Sequence, residues 1–288
     1  MTPRGAALAA SALVFNAFVW GVSWWPFREL QSQGLHPLWS TALIYFFSLA
    51  CISAWRPGGW RGFARHPQLW LLAVAAGLTN VGFNWAVTVG DVVRVVLLFY
   101  LMPAWSVLLA WGLLGEKPTR ASLLRLVLAM AGVLIVLKSP GSPWPVPHST
   151  ADWLALMGGF SFAATNVLLR KLAYTPGESR IMAMFGGGGL MATATALLGM
   201  AWHIVPAPVW STSWAGVALG LAVAFLLSNM ALQYGAARLA ASTTALVMLT
   251  EILFASLSAA ALGAAEFSPR TLLGGSLIVL AAVLAAKK

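Results

Sequence analysis

Charge is what this sequence has least of. Only 8% of its 288 residues are charged, seven are acidic, and one cysteine, Cys51, stands alone. A lone cysteine excludes an intrachain disulfide. So low a charge excludes an ordinary soluble domain, about a quarter of whose residues are charged. Reaction motifs are missing too. The four histidines (His36, His66, His148 and His203) fall in or beside loops, and none pairs at ligand spacing. The run Gly186 to Gly189 looks superficially like a phosphate loop, but no Lys-Ser or Lys-Thr follows and the run lies within an apolar stretch. Close helix approach or a kink is its expected use. No catalytic constellation is visible, so the reading is of a protein that is not an enzyme and needs no metal and no cofactor. ATP-driven work would require a separate subunit.

What the sequence does have is apolar length. Hydrophobic residues make up 60% of the chain and the mean hydropathy is +0.84. Apolar runs of about 17 to 22 residues recur, separated by short breaks with nearly all the charge, which is the pattern of membrane spans. Ten are expected, at 6–28, 36–55, 69–89, 92–114, 121–138, 150–171, 179–201, 212–234, 238–263 and 270–286. Lipid offers the backbone no hydrogen-bond partner, so each run must be helical. The fold class is an all-α integral membrane protein. The first run carries Asn16 and three tryptophans and has no clear small-residue cleavage site, so it reads as a retained span rather than a signal peptide.

The basic residues orient these spans. With a cytoplasmic N-terminus, Arg4, Arg56, Arg61, Arg65, Lys117, Arg120, Arg125, Arg170, Lys171, Arg180, Arg238, Lys287 and Lys288 share the cytoplasmic side. Arg28, Arg94, Lys138 and Arg270 fall outside. By the positive-inside rule both termini are cytoplasmic. The net charge of +10 is thereby explained without nucleic acid, because the charges are dispersed over separate loops. The expected partners are the lipid bilayer and a small-molecule substrate, and the expected state is a monomer.

The two halves look like duplicates. A shift of 150 lays GEKPTR (115–120) over AEFSPR (265–270), Leu123 over Leu273 and Lys138 over Lys288. A shift of 142 matches Trp20 to Phe162, Ser23 to Thr165, Arg28 to Arg170 and Leu30 to Leu172. The division is residues 1–144 and 145–288, each with five spans. An odd number of spans makes the second copy enter the membrane from the opposite side. Two inverted five-helix repeats are a transporter pattern, because similar halves can exchange roles to open one site on either face.

At FYLMPAW in span 4, the following Gly115-Glu116 turn, a glycine-bearing span 5 and the closing AALGAAEFSPRTLLGGSLIVL, the chain resembles the EamA-type members of the drug/metabolite transporter superfamily. The resemblance covers the whole chain. Departures stand at Ala265, where the first copy has Gly115, and at Ile252 after Glu251, where the family often has proline. The resemblance implies export or exchange of amino acids and other small metabolites across a bacterial cytoplasmic (inner) membrane. It implies a cavity lined mainly by spans 1, 3, 4, 6, 8 and 9, with spans 5 and 10 peripheral.

Polar residues within spans mark where a site should be sought. Four stripes at helical spacing qualify: Asn16, Trp20 and Ser23; Asn80, Asn84 and Thr88; Phe162 and Asn166; Phe225, Asn229 and Gln233. The alternative for each asparagine is interhelical bonding worth about 1 kcal/mol. Most of the fifteen tryptophans sit at span ends, as interfacial anchors do. Trp20 and Trp105 lie deeper and could face a substrate or simply pack. Span 4 has an aromatic wall at Phe99 and Tyr100, then Pro103 as a helix kink. Arg94 offers either a guanidinium fork for a substrate carboxylate in an outer vestibule, or a snorkelling partner for Asp91 three residues earlier. Glu251 is the one acid near the middle of a span, and hence the candidate to carry a coupling proton.

The expected function is secondary transport by alternating access, exporting amino acids or similar zwitterionic metabolites. The alternative is a multidrug or cationic-compound exporter, which would use Glu251 and the aromatic rings and have little need of Arg94. From another class, a lipid scramblase or an intramembrane enzyme is the remaining option.

Overall fold

The structure, a computed structural model, describes residues 3–138, 141, 146–209, 211–264 and 269–286. Ala265, Lys287 and Lys288, used in the repeat and charge arguments, lie outside the described residues. Fourteen helices and no strand occur among the described residues. The first half of the chain holds α1 (Pro3–Val22), α2 (Trp24–Ser32), α3 (Pro37–Trp55), α4 (Gly58–Arg65), α5 (Leu69–Val89), α6 (Val92–Phe99), α7 (Met102–Leu114) and α8 (Arg120–Leu137). Then come α9 (Thr150–Lys171), α10 (Gly177–Ala201), α11 (Ala215–Ala236), α12 (Ala241–Met248), α13 (Glu251–Ala261) and α14 (Pro269–Ala286). They form ten apolar segments long enough to cross a membrane, coincident with the expected runs. Helix α4 is a short connector, and spans 1, 4 and 9 are each broken in two.

The breaks have local causes. Pro26 has no N–H to offer the Val22 carbonyl four residues back, and α1 ends at Val22. Pro103 does the same to Phe99, where α6 ends, and itself occupies the first turn of α7, where proline is tolerated. Span 9 breaks without proline. The Thr250 hydroxyl donates to the Val247 carbonyl at 2.8 Å, and backbone bonds from Thr250, Ile252 and Leu253 run to the residue three earlier. This tightens the turn between α12 and α13. At the start of α3, His36 caps the helix by accepting from the Leu38 N–H, and burial lowers its proton affinity, which suits an acceptor nitrogen.

The face on which α1 begins and α14 ends is called the terminal face below. The pairs of spans that pack most closely are 3 with 6, 3 with 7, 4 with 6, 5 with 10, 2 with 7, 1 with 8, 1 with 9, 9 with 10 and 2 with 8. Exchanging each span for the one five places along maps all of these pairs but 9 with 10 onto one another. Small residues permit the closest approaches. A Cβ on Gly82 of α5 would lie 2.7 Å from Gly158 Cα of α9. Cβ atoms on Gly132 and Gly274 would each lie 2.6 Å from the other's carbonyl oxygen, where α8 meets α14. The glycines at 186–189 do not kink α10, which runs unbroken; Gly187 meets Ala73 of α5 and Gly188 meets the Tyr45 ring. Large apolar side chains such as Trp70, Leu124, Trp153 and Leu190 stand exposed, as a lipid-facing surface requires. Packing is uneven along span 9. Seven of the eight residues of α12, toward the terminal face, are buried, against one of eleven in α13.

Candidate functional site

Where the broken spans 4 and 9 lose helical continuity, side chains from eight spans surround a cavity of about 90 Å³. One wall is aromatic: Phe99 lies 5.0 Å from Phe83 and 5.9 Å from Phe162, centroid to centroid, with Tyr100 beside it at 5.8 Å. Trp20 and Tyr45 complete the ring set. Trp20 is oriented by Phe225, edge to face at 4.5 Å, which places Phe225 behind the lining rather than in it.

The polar part of the lining is amide and hydroxyl. The Asn84 amide nitrogen donates to the Thr41 hydroxyl at 3.2 Å, leaving its oxygen without a donor among the described residues. The Asn80 nitrogen donates to the Ala76 carbonyl at 2.9 Å. The Asn229 oxygen accepts from Gln233 at 2.9 Å, and its nitrogen points at Met184 Sδ, 3.6 Å away. Glu251 is the single charged side chain of the lining and faces the Tyr100 hydroxyl across the gap between the two broken spans. Among the described residues no arginine or lysine lines the cavity.

Of the residues singled out in the sequence, Trp20, Asn80, Asn84, Phe99, Tyr100, Phe162, Asn229 and Glu251 are brought together here. The others lie elsewhere. Asn16, fully buried, donates to the Ser228 carbonyl at 3.0 Å and hydroxyl at 2.5 Å, tying α1 to α11. Asn166 is fully buried and neither amide atom has a hydrogen-bond partner among the described residues. The same holds for Trp105 Nε1, Ser106 Oγ and Thr244 Oγ1. These four residues belong to α7, α9 and α12, which pack together on the terminal-face side of the cavity.

Arg94 takes neither of its two expected places. Its Nε and Nη2 donate to the two oxygens of Asp152 at 2.8 and 3.1 Å, and Nη2 also donates to the Val146 carbonyl. Asp91 does not pair with the guanidinium. As the residue capping α6 it uses its carboxylate on the Arg94 backbone N–H at 2.8 Å, one of the donors a helix start leaves free. Asp152 accepts in addition from the backbone N–H groups of His148 and Ser149 and is 1% exposed. The pair thus clamps span 4 to the start of span 6 and leaves no free fork for a ligand.

Sequence reasoning passed over Tyr45, Thr79, Phe83, Met184, Leu232 and Met248, which also line the cavity. Thr79 and Phe83 were findable, since they flank Asn80 and Asn84 at helical spacing. Tyr45 and Met184 lie on spans 2 and 7, which the resemblance placed outside the main lining; the hydroxyl stripe Thr41, Tyr45 and Ser48 of span 2 was a signal the sequence reading did not use.

A ten-span helical bundle closed around an aromatic and amide cavity with one carboxylate defines a polytopic membrane protein with an interior polar site. Residues 7–138, the first five spans, match the EamA-like transporter family. Curated relatives include the protein RarD of Streptomyces exfoliatus, 28% identical over 169 residues (55% of this chain and 50% of the relative). RarD of Salmonella typhi is 29% identical over 181 residues, 60% of this chain and 57% of the relative. Escherichia coli RarD is 28% identical over 179 residues, 60% and 56%. The chain thus spans about half the length of the curated relatives it matches. A solved crystal structure 19% identical in sequence superposes with a TM-score of 0.77 over 96% of both chains, which shows a shared fold.

Proposed function

We propose that the protein is a secondary transporter that exports amino acids or similar small zwitterionic metabolites by alternating access. One observation carries the reading: a cavity inside the bundle whose lining joins aromatic rings, amides and a single carboxylate, Glu251. Rings accept an apolar side chain, amides hydrogen-bond a carboxylate or carbonyl, and Glu251 attracts an ammonium group or carries a proton. The match of residues 7–138 to a transporter family ends with the fifth span, in keeping with a division at 144 and 145 into two five-span units. The close span contacts, which map onto one another apart from 9 with 10, fit inversion of one unit relative to the other. In the opposite conformer the seam between α7, α9 and α12 parts, and Trp105, Asn166 and Thr244, buried in it here, come to face the solute path. The absence of any cation from the lining favours a second reading, export of cationic compounds, in which Glu251 is the counter-charge.

The test is uptake into proteoliposomes of a panel of labelled amino acids, their esters and lipophilic cations, with and without an imposed pH gradient. Faster movement of amino acids than of esters and cations supports the first reading. Preference for cations replaces it with the second, and movement of lipid without added solute would replace both with scrambling.

The proposed membrane is the bacterial inner membrane, the proposed state a monomer, and the terminal face cytoplasmic. Single cysteines placed near Gly59 and Thr119 in a Cys51→Ala background are expected to be shielded from an impermeant thiol reagent in intact cells. One at Ser142, outside the described residues, is expected to react. Labelling of the first two from outside would invert the orientation.

A further inference from the structure

Arg180 lies in the first turn of α10, only 8% exposed, between the cavity and the terminal face. One side of its guanidinium is fixed: Nη1 donates to the carbonyls of Leu172 at 2.9 Å and Thr175 at 3.2 Å, in the loop leaving α9. The other edge is loosely held. Nε reaches the Gln233 side-chain oxygen at 3.3 Å, a long contact to a neutral acceptor, and Nη2 has no acceptor among the described residues. No carboxylate among them pairs with it; the charges that act on it are Glu178, two residues before, and Arg238, of like sign. A buried guanidinium held only by neutral groups is costly.

The network leads to the cavity. Gln233, whose oxygen faces Arg180, donates its nitrogen to Asn229, and Asn229 lines the cavity with Met184, one turn along α10 from Arg180. We propose that the Nε/Nη2 edge of Arg180 is a carboxylate-binding site on the terminal-face side, where a solute's acid group displaces the Gln233 oxygen as it passes to or from the cavity. The geometry matches a side-on fork: two parallel N–H groups, a position set by Nη1, and an occupant that is weakly bound and neutral. The site deepens the transport reading and rests on it for the solute's onward path. It also supplies the cation that the cavity lacks and that Arg94, clamped to Asp152, does not offer.

The test is binding of 3-phenylpropionate and of its amide to the purified full chain in nanodiscs. Wild type is expected to favour the acid by about ten- to a hundredfold. Arg180→Lys keeps the charge and can still reach the loop carbonyls, but it has no fork. Its acid preference should fall to within about threefold while amide affinity is unchanged, a selectivity change that a purely structural role would not produce. Gln233→Leu removes the competing acceptor and should tighten the acid alone by several-fold. No acid preference in wild type, or an undiminished one in a folded lysine variant, overturns the site. If the lysine variant does not fold, Gln233→Leu decides, and unchanged or weaker acid binding overturns it. Acid binding that shifts as expected in a protein that moves no solute into proteoliposomes would sustain the site and defeat the transport reading.

Discussion

Arg94→Ala is expected to lower the unfolding free energy by about 3 kcal/mol, the low end for breaking a buried pair, because Arg94 keeps some contact with solvent. The loss falls mainly on Asp152. With its guanidinium partner gone, a carboxylate 1% exposed is left with the backbone donors of His148 and Ser149 and the Ser149 hydroxyl facing it. Asp152→Ala alone strands the arginine less severely, since Arg94 can turn toward water, and should cost less. The double variant should be more stable than Arg94→Ala, because no uncompensated charge remains. Thermal melting in detergent measures all three. If Arg94→Ala melted with wild type, the clamp between spans 4 and 6 would have no structural weight and the vestibule reading of Arg94 would return.

Glu251→Gln is expected to abolish proton-driven accumulation while leaving solute exchange. A gradient of one pH unit is worth about 1.4 kcal/mol per proton, so one-to-one coupling accumulates solute about tenfold. The glutamine keeps the size and a hydrogen-bonding oxygen for Tyr100 but cannot release a proton, so accumulation should fall to the equilibrium ratio of one. Exchange of labelled for unlabelled solute, which needs no net proton, should persist. Accumulation and pH dependence both surviving in folded Glu251→Gln protein would remove the coupling role. Loss of exchange as well as accumulation would make Glu251 a binding residue for a cationic group.

Much of the site was legible because a polar residue in an apolar run is conspicuous whatever surrounds it. Asn80, Asn84, Asn229 and Glu251 stand out on that ground alone, and all line the cavity. The same rule also selected Asn16 and Asn166, which do not, since spacing along one helix says nothing of how that helix is rotated toward its neighbours. Asn16 faces Ser228, more than two hundred positions away, and becomes a tie between helices. Met184 was silent for the opposite reason: nothing in its own span distinguishes a cavity-lining methionine from one in ordinary packing, whereas Tyr45 shares a hydroxyl face with Thr41 and Ser48 that went unread.

Arg180 shows the same limit. In the sequence it is one more cation beside a loop, counted toward orientation. Folding places it under the cavity floor, with carbonyls on one edge and a glutamine on the other.

By itself the sequence determined that this is a ten-span helical membrane protein, where its spans lie to within a few residues, and that Pro103 interrupts one of them. Those are properties of solvation and of backbone chemistry, settled within a window of some twenty residues. Tertiary structure alone decided which polar groups meet one another and which meet a solute. Asp152 takes Arg94, Ser228 takes Asn16, and Glu251 is left facing the cavity, because those outcomes depend on which helix faces which.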